Sequence, residues 1–176
     1  MLIEIIILAV LLGWLAGGKL TRLSKVNLVG MNLLIWAFIL QTLVPSISAF
    51  YDVVGYSILL ISYFILLVAL SQNRLNFDII LLMIGVFLNF IVILANGGMP
   101  VKIEAFPVGF NDYVHIQMTK MTNLPWLGDI IPWPFPGFLG GLVSLGDIFL
   151  AAGIFVLVVQ GMTYRGQRRN RLPSTQ

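Results

Sequence analysis

The sequence contains no cysteine, so disulfides, thiolate metal sites and cysteine nucleophiles are excluded at once. Charge is almost as scarce. Only 10% of the 176 residues are Asp, Glu, Lys or Arg, against roughly a quarter in soluble domains. A chain this poor in charge cannot cover a water-facing surface. There is a single histidine, and acidic residues number seven. No Gly-x-Ser-x-Gly, His-Glu-x-x-His or phosphate-binding loop occurs, so none of the common catalytic signatures applies. No cofactor or metal is expected, and nothing points to nucleic acid.

What the chain has instead is apolar residues, at 59%, with a mean hydropathy of +1.00. Five apolar runs approach the roughly 20 residues that a membrane-crossing helix needs. They cover about residues 2–18, 28–44, 52–70, 77–95 and 145–164. The second is expected to stop at Pro45, because proline lacks the N–H that continues a helix. The expected fold is all-α, a five-helix transmembrane bundle forming one domain over residues 1–164. Its partner is then the lipid bilayer. A basic tail follows at 165–176.

The first run differs from a secretory signal. Its start carries Glu4 and no basic residue, and Lys19, Arg22 and Lys25 come after it. It reads as an uncleaved helix with a cytoplasmic C-terminal end. Lysine and arginine set orientation in short loops. Lys19, Arg22, Lys25 and Arg74 fall on one side, with Arg165, Arg168, Arg169 and Arg171 of the tail. Only Lys102 and Lys120 fall on the other. The N-terminus is therefore expected outside and the C-terminus in the cytoplasm.

The helices carry two informative patterns. Ala9, Gly13 and Gly17 recur every fourth residue, a spacing that lets backbones approach closely in lipid. The stripe serves either packing inside the bundle or contact with a second copy or protein partner. In the fourth run, Asp78, Gly85, Asn89 and Asn96 share one face at 100° per residue. A lipid-facing asparagine would leave its amide unsatisfied, so this face is expected to point inward. Ser144-Leu-Gly-Asp147, directly before the last run, matches a Ser-x-x-acid capping box.

Residues 97–143 form a different kind of sequence. They hold six of the eight prolines and two of the four tryptophans. Phe106, Phe110, Tyr113, Trp126, Trp133, Phe135 and Phe138 argue for an ordered outer cap at the membrane interface. Within it, helical spacing of Phe110, Tyr113, Val114, Met118 and Met121 suggests a short amphipathic helix over about 111–122, although Val114, Ile116 and Met118 also alternate as a strand would. Pro132, Pro134 and Pro136 impose an extended approach to the last helix.

His115 lies in this cap, and Glu104, Asp112, Asp129 and Asp147 can approach it in space. One histidine with carboxylates can bind a ligand or carry acid–base chemistry. A lone histidine is more often a hydrogen-bonded structural residue. The binding candidates are Asn89, Asn96, Lys102, His115, Asp129 and Asp147, and the weaker catalytic candidates are His115, Asp129 and Asp147.

Three segments taken together carry a resemblance. They are Asn96-Gly-Gly-Met-Pro-Val101, His115 followed by Leu124-Pro-Trp-Leu-Gly-Asp-Ile-Ile-Pro132, and Ser144-Leu-Gly-Asp147. The chain resembles the bacterial domain-of-unknown-function family 5317 from its first helix to its basic tail. That resemblance implies a multi-pass protein of the bacterial cytoplasmic membrane and assigns no activity. Three functions compete. The first is a non-enzymatic membrane subunit whose cap binds a partner, lipid or small ligand. The second is a membrane enzyme acting on a lipid-linked substrate through His115 and nearby carboxylates. The third is a small transporter or channel.

Overall fold

The computed structural model describes residues 1–48, 52–102, 114–133 and 141–163. The tail at 165–176, Glu104, Asp112 and the cap aromatics Phe106, Phe110, Tyr113, Phe135 and Phe138 lie outside the described residues, as do Pro134 and Pro136. The described residues form five α-helices: α1 (Leu2–Leu15), α2 (Met31–Ser48), α3 (Asp52–Ser71), α4 (Phe77–Asn96) and α5 (Leu145–Thr163). They pack side by side in the order α2–α3–α4–α5–α1. α2, α3, α4 and α5 are each long and apolar enough to cross a membrane. α1 is also apolar, but it has 14 residues and spans only about 21 Å at 1.5 Å per residue.

α1 ends three residues before the predicted Gly18. Gly17 adopts φ +77°, and the Gly18 N–H donates to the Gly13 carbonyl at 2.9 Å, a left-handed glycine closure of the helix. The chain then turns through a short 3-10 segment, Leu20–Lys25, held to the end of α5. There the Lys19 N–H and the Arg22 Nη1 both donate to the Met162 carbonyl, at 3.0 and 3.1 Å.

α2 does not stop at Pro45 as predicted but continues to Ser48. Proline's fixed φ is itself helical, and its missing N–H forfeits only the bond to the carbonyl four residues earlier. One turn from a helix end in a membrane, that loss is tolerated. α4 ends where the glycines predicted, with Gly97 at φ +82° donating to the Ile93 carbonyl at 2.9 Å.

Many large apolar side chains face outward, among them Trp14, Leu15, Trp36, Phe64 and Phe77. A soluble monomer does not expose so many, whereas a bundle in lipid must. Inside, two clusters hold the helices together. Ala37, Leu66, Leu70, Ile79, Leu82 and Val86 form one. Val44, Leu59, Val92, Ile93, Met99 and Leu127 form the other, at the end where the cap sits. Met99 and Leu127 come from the segment between α4 and α5, so apolar burial ties that segment to the bundle.

The described residues between α4 and α5 form two small sheets. β1 (Met99–Val101) pairs in parallel with β2 (His115–Gln117), and β3 (Ile131–Pro132) pairs antiparallel with β4 (Leu142–Val143). The amphipathic helix suggested over 111–122 is therefore not formed across its described part. The Met99 N–H takes the Val114 carbonyl and the Met118 N–H takes the Val101 carbonyl, both at 2.9 Å. These ladder bonds satisfy the segment as a strand, and the alternation of Val114, Ile116 and Met118 was the signal that counted.

Glycines set the closest helix approaches. A Cβ at Gly85 of α4 would lie 2.6 Å from the Gly146 carbonyl oxygen of α5, and one at Gly153 would lie 2.7 Å from Leu82. On α1, Ala9 and Gly13 are the buried residues, and Gly13 sits against Met162 of α5. Gly17, the third member of the stripe, has nothing within 4 Å of its Cβ position.

Candidate functional site

The cap end of the bundle gathers polar groups from four places in the sequence. α4 supplies Asn89, which is buried on the inward face together with Asp78 and Gly85. The start of α5 supplies Ser144 and Asp147. The Asp147 N–H donates to Ser144 Oγ at 2.9 Å, and the Ser144 N–H donates to Asp147 Oδ2 at 3.2 Å, a reciprocal capping box. The other carboxylate oxygen, Oδ1, accepts from Asn89 Nδ2 at 2.9 Å, and the Ser144 hydroxyl donates to Asn89 Oδ1 at 2.9 Å. The three side chains thus lock α4 to α5 through a closed set of bonds. Each removes a donor or acceptor that would otherwise be stranded in a low-dielectric interior.

The second group comes from the cap strands. Pro100 accepts the Asp129 N–H at 2.8 Å, and Val101 and Asp129 form an isolated parallel bridge. β1 therefore lies between His115 on β2 and Asp129, and holds both. His115 Nε2 sits 3.2 Å from Asp129 Oδ2. The Asp129 side chain is buried at 7% exposure, while that of His115 keeps 34%. The carboxylate thus orients an imidazole that remains accessible.

Asp147, His115 and Asp129 meet in one cleft of about 450 Å³, lined also by Trp133, the first turn of α1 and β4. Glu4 completes its polar lining. In the sequence Glu4 marks only a helix start without basic residues, and it lies more than a hundred residues from His115. The available signal was that it is the one charged residue of an apolar helix, and such residues rarely lack a purpose in lipid. In the structure its carboxylate meets the Met1 amino group at 2.7 Å.

Three other candidates do not line the cleft, and the first, Asn89, is buried in the α4–α5 contact. Asn96 is a clasp. Its Nδ2 donates to the Val92 and Asn123 carbonyls, and its Oδ1 accepts the Asn123 N–H, all at 2.8 Å. It pins the cap loop to the end of α4 and does not line the cleft. Lys102 is exposed beside β1 and also does not line it. Among the described residues no group of three His, Asp or Glu side chains is placed to hold a metal ion.

The arrangement offers a partly open, mainly apolar cleft with one oriented imidazole and carboxylates at its wall. Such a site can hold a small amphipathic ligand through hydrogen bonds at one end and apolar contact at the other. Four helices able to cross a bilayer, with apolar side chains facing outward, suggest a multi-pass membrane protein. Within that class, the chain belongs to a family of unknown function, DUF5317, which matches residues 25–159. The matched span contains Asn89, His115, Asp129, Ser144 and Asp147 and leaves out α1. No curated protein matches the chain, and no solved structure does.

Proposed function

We propose that this protein crosses the bacterial cytoplasmic membrane five times, N-terminus outside, and that its outer cleft binds a small ligand or lipid headgroup without transforming it. Two features support the topology. Lys19, Arg22, Lys25 and Arg74 all lie at the end of the bundle opposite the cleft, as the positive-inside rule requires of a cytoplasmic face. α1 lies against α5 along its length, so the short helix crosses where local thinning of the bilayer accommodates it.

The observation that carries the functional reading is the His115–Asp129 pair at the wall of the cleft. A buried carboxylate holding a half-open imidazole is a built feature, and it faces a space large enough for a ligand. The same pair also favours a second reading, acid–base catalysis on a lipid-linked substrate, because a carboxylate-oriented histidine can move protons. Binding is preferred because the described lining has no hydroxyl, thiol or lysine to act as nucleophile, and Ser144 Oγ is committed to Asn89.

Native mass spectrometry of protein extracted in mild detergent tests this. The wild type should carry a non-covalent adduct that His115→Ala loses. His115→Gln, which keeps a donor toward Asp129, should retain the adduct within about tenfold in affinity. A wild-type protein that carries no adduct contradicts the binding reading. If the adduct survives in all three proteins, His115 is not part of the site.

A further inference from the structure

At the opposite end of the bundle, a separate cavity of about 330 Å³ lies between the end of α3, the start of α4 and the segment after the 3-10 turn. It is lined by Asn27, Gln72, Arg74, Asn76 and Asp78, with apolar walls that include Leu157. Asp78 is only 5% exposed, and its Oδ1 has no hydrogen-bond partner. A buried carboxylate is costly unless a cation or several donors meet it. Arg74 lines the same cavity but is itself exposed, and among the described residues no ion pair joins it to Asp78. One negative and one positive group thus face a shared space without touching.

We propose that this cavity binds a phosphoethanolamine-type zwitterion, its ammonium on Asp78 and its phosphate toward Arg74. The chemistry selects this class over a bare cation. A metal ion would meet repulsion from Arg74 and would leave most of the cavity empty, since a water-sized occupant takes only about 30 Å³. A primary ammonium has three donors, enough for the carboxylate and for the side-chain amides of Asn27, Gln72 or Asn76. A guanidinium is well matched to phosphate oxygens. The first turn of α4 puts the positive end of the helix dipole beside the Asp78 carboxylate. The basic end of the bundle is where helices meet the headgroup layer, and Leu157 offers apolar surface to the start of an acyl chain.

The test uses the full chain in nanodiscs of equal phosphatidylethanolamine and phosphatidylcholine, with lipid retained on the protein read by native mass spectrometry. The two lipids share a phosphate and differ in ammonium donors. The wild type should retain phosphatidylethanolamine about tenfold over phosphatidylcholine, and Asp78→Asn should retain them equally. Arg74→Gln, at an exposed position that cannot unfold the bundle, should lower retention of both lipids while keeping the preference. If free phosphoethanolamine displaces the lipid, the natural occupant is the soluble zwitterion. If it does not, the occupant is the lipid, and both results uphold the chemistry. Equal retention by the wild type overturns the proposal, as does a preference that persists in Asp78→Asn. An unchanged lipid load in Arg74→Gln overturns the phosphate assignment.

Discussion

Replacing Asn89 by aspartate is expected to remove most of the folded protein from the membrane, and adding Asp147→Asn to the same chain is expected to restore it. The reasoning is a count of donors and acceptors. Asn89 gives its Nδ2 hydrogen to Asp147 Oδ1 and accepts the Ser144 hydroxyl on Oδ1. An aspartate at position 89 still accepts from Ser144, but it places a second carboxylate where Nδ2 had been, 2.9 Å from Asp147. Two carboxylates at that distance in a buried site cannot both stay ionised, and the single replacement should cost at least about 3 kcal/mol.

In the double replacement the roles exchange. The carboxylate at 89 accepts from both Ser144 and the new amide at 147. The amide oxygen at 147 still accepts the Ser144 N–H now bound by Oδ2, so the cap of α5 survives. Thermal unfolding in detergent, followed by size-exclusion chromatography, reads the outcome. A double variant no more stable than Asn89→Asp alone would show that the pair is not what joins α4 to α5.

The second large effect concerns glycine. Gly146→Ala is expected to destabilise the protein by about 3 kcal/mol, the upper end of the usual range for overpacked cores. The added methyl would land on the Asn89 side-chain oxygen and lie 2.8 Å from the Gly85 carbonyl oxygen. One obstacle is held by hydrogen bonds and the other is backbone, so neither can move aside. Gly13→Ala should cost less, because its methyl meets the Met162 sulfur at 2.8 Å, and that flexible side chain can swing away. Gly141→Ala, with nothing within 4 Å, is the neutral control. A ranking of measured melting temperatures that departs from Gly141→Ala, Gly13→Ala, Gly146→Ala would contradict the close α4–α5 approach.

The helices were legible because long apolar runs in a charge-poor chain have few alternatives. The inward face of α4 was legible for a related reason: Asn89 in lipid requires a partner, and it found two. Where the sequence reading failed, one local rule was outweighed by another. Pro45 lost a single bond near a helix end, and its helical φ let α2 continue. Residues 115–117 satisfied their backbone against β1, so helical spacing of side chains did not decide their conformation. The cleft was half legible. His115, Asp129 and Asp147 do share it, and Asn96 resembled them by position while being used on the loop. Glu4 was not legible as a member because only the packing of α1 on α5 brings it there, and no spacing in the sequence encodes that contact.

The absence of cysteine makes the central claim directly measurable, since any cysteine introduced is the only one. Met121 in the cap is 87% exposed, and Leu75, between α3 and α4 at the basic end, is 65% exposed. Single Met121→Cys and Leu75→Cys variants can be treated in intact cells with a maleimide that does not cross membranes. An outer cleft on a multi-pass bundle predicts modification of Met121→Cys in intact cells and of Leu75→Cys only after the cells are opened. The reverse pattern would place the cleft in the cytoplasm, and modification of both in intact cells would contradict a bundle that spans the membrane.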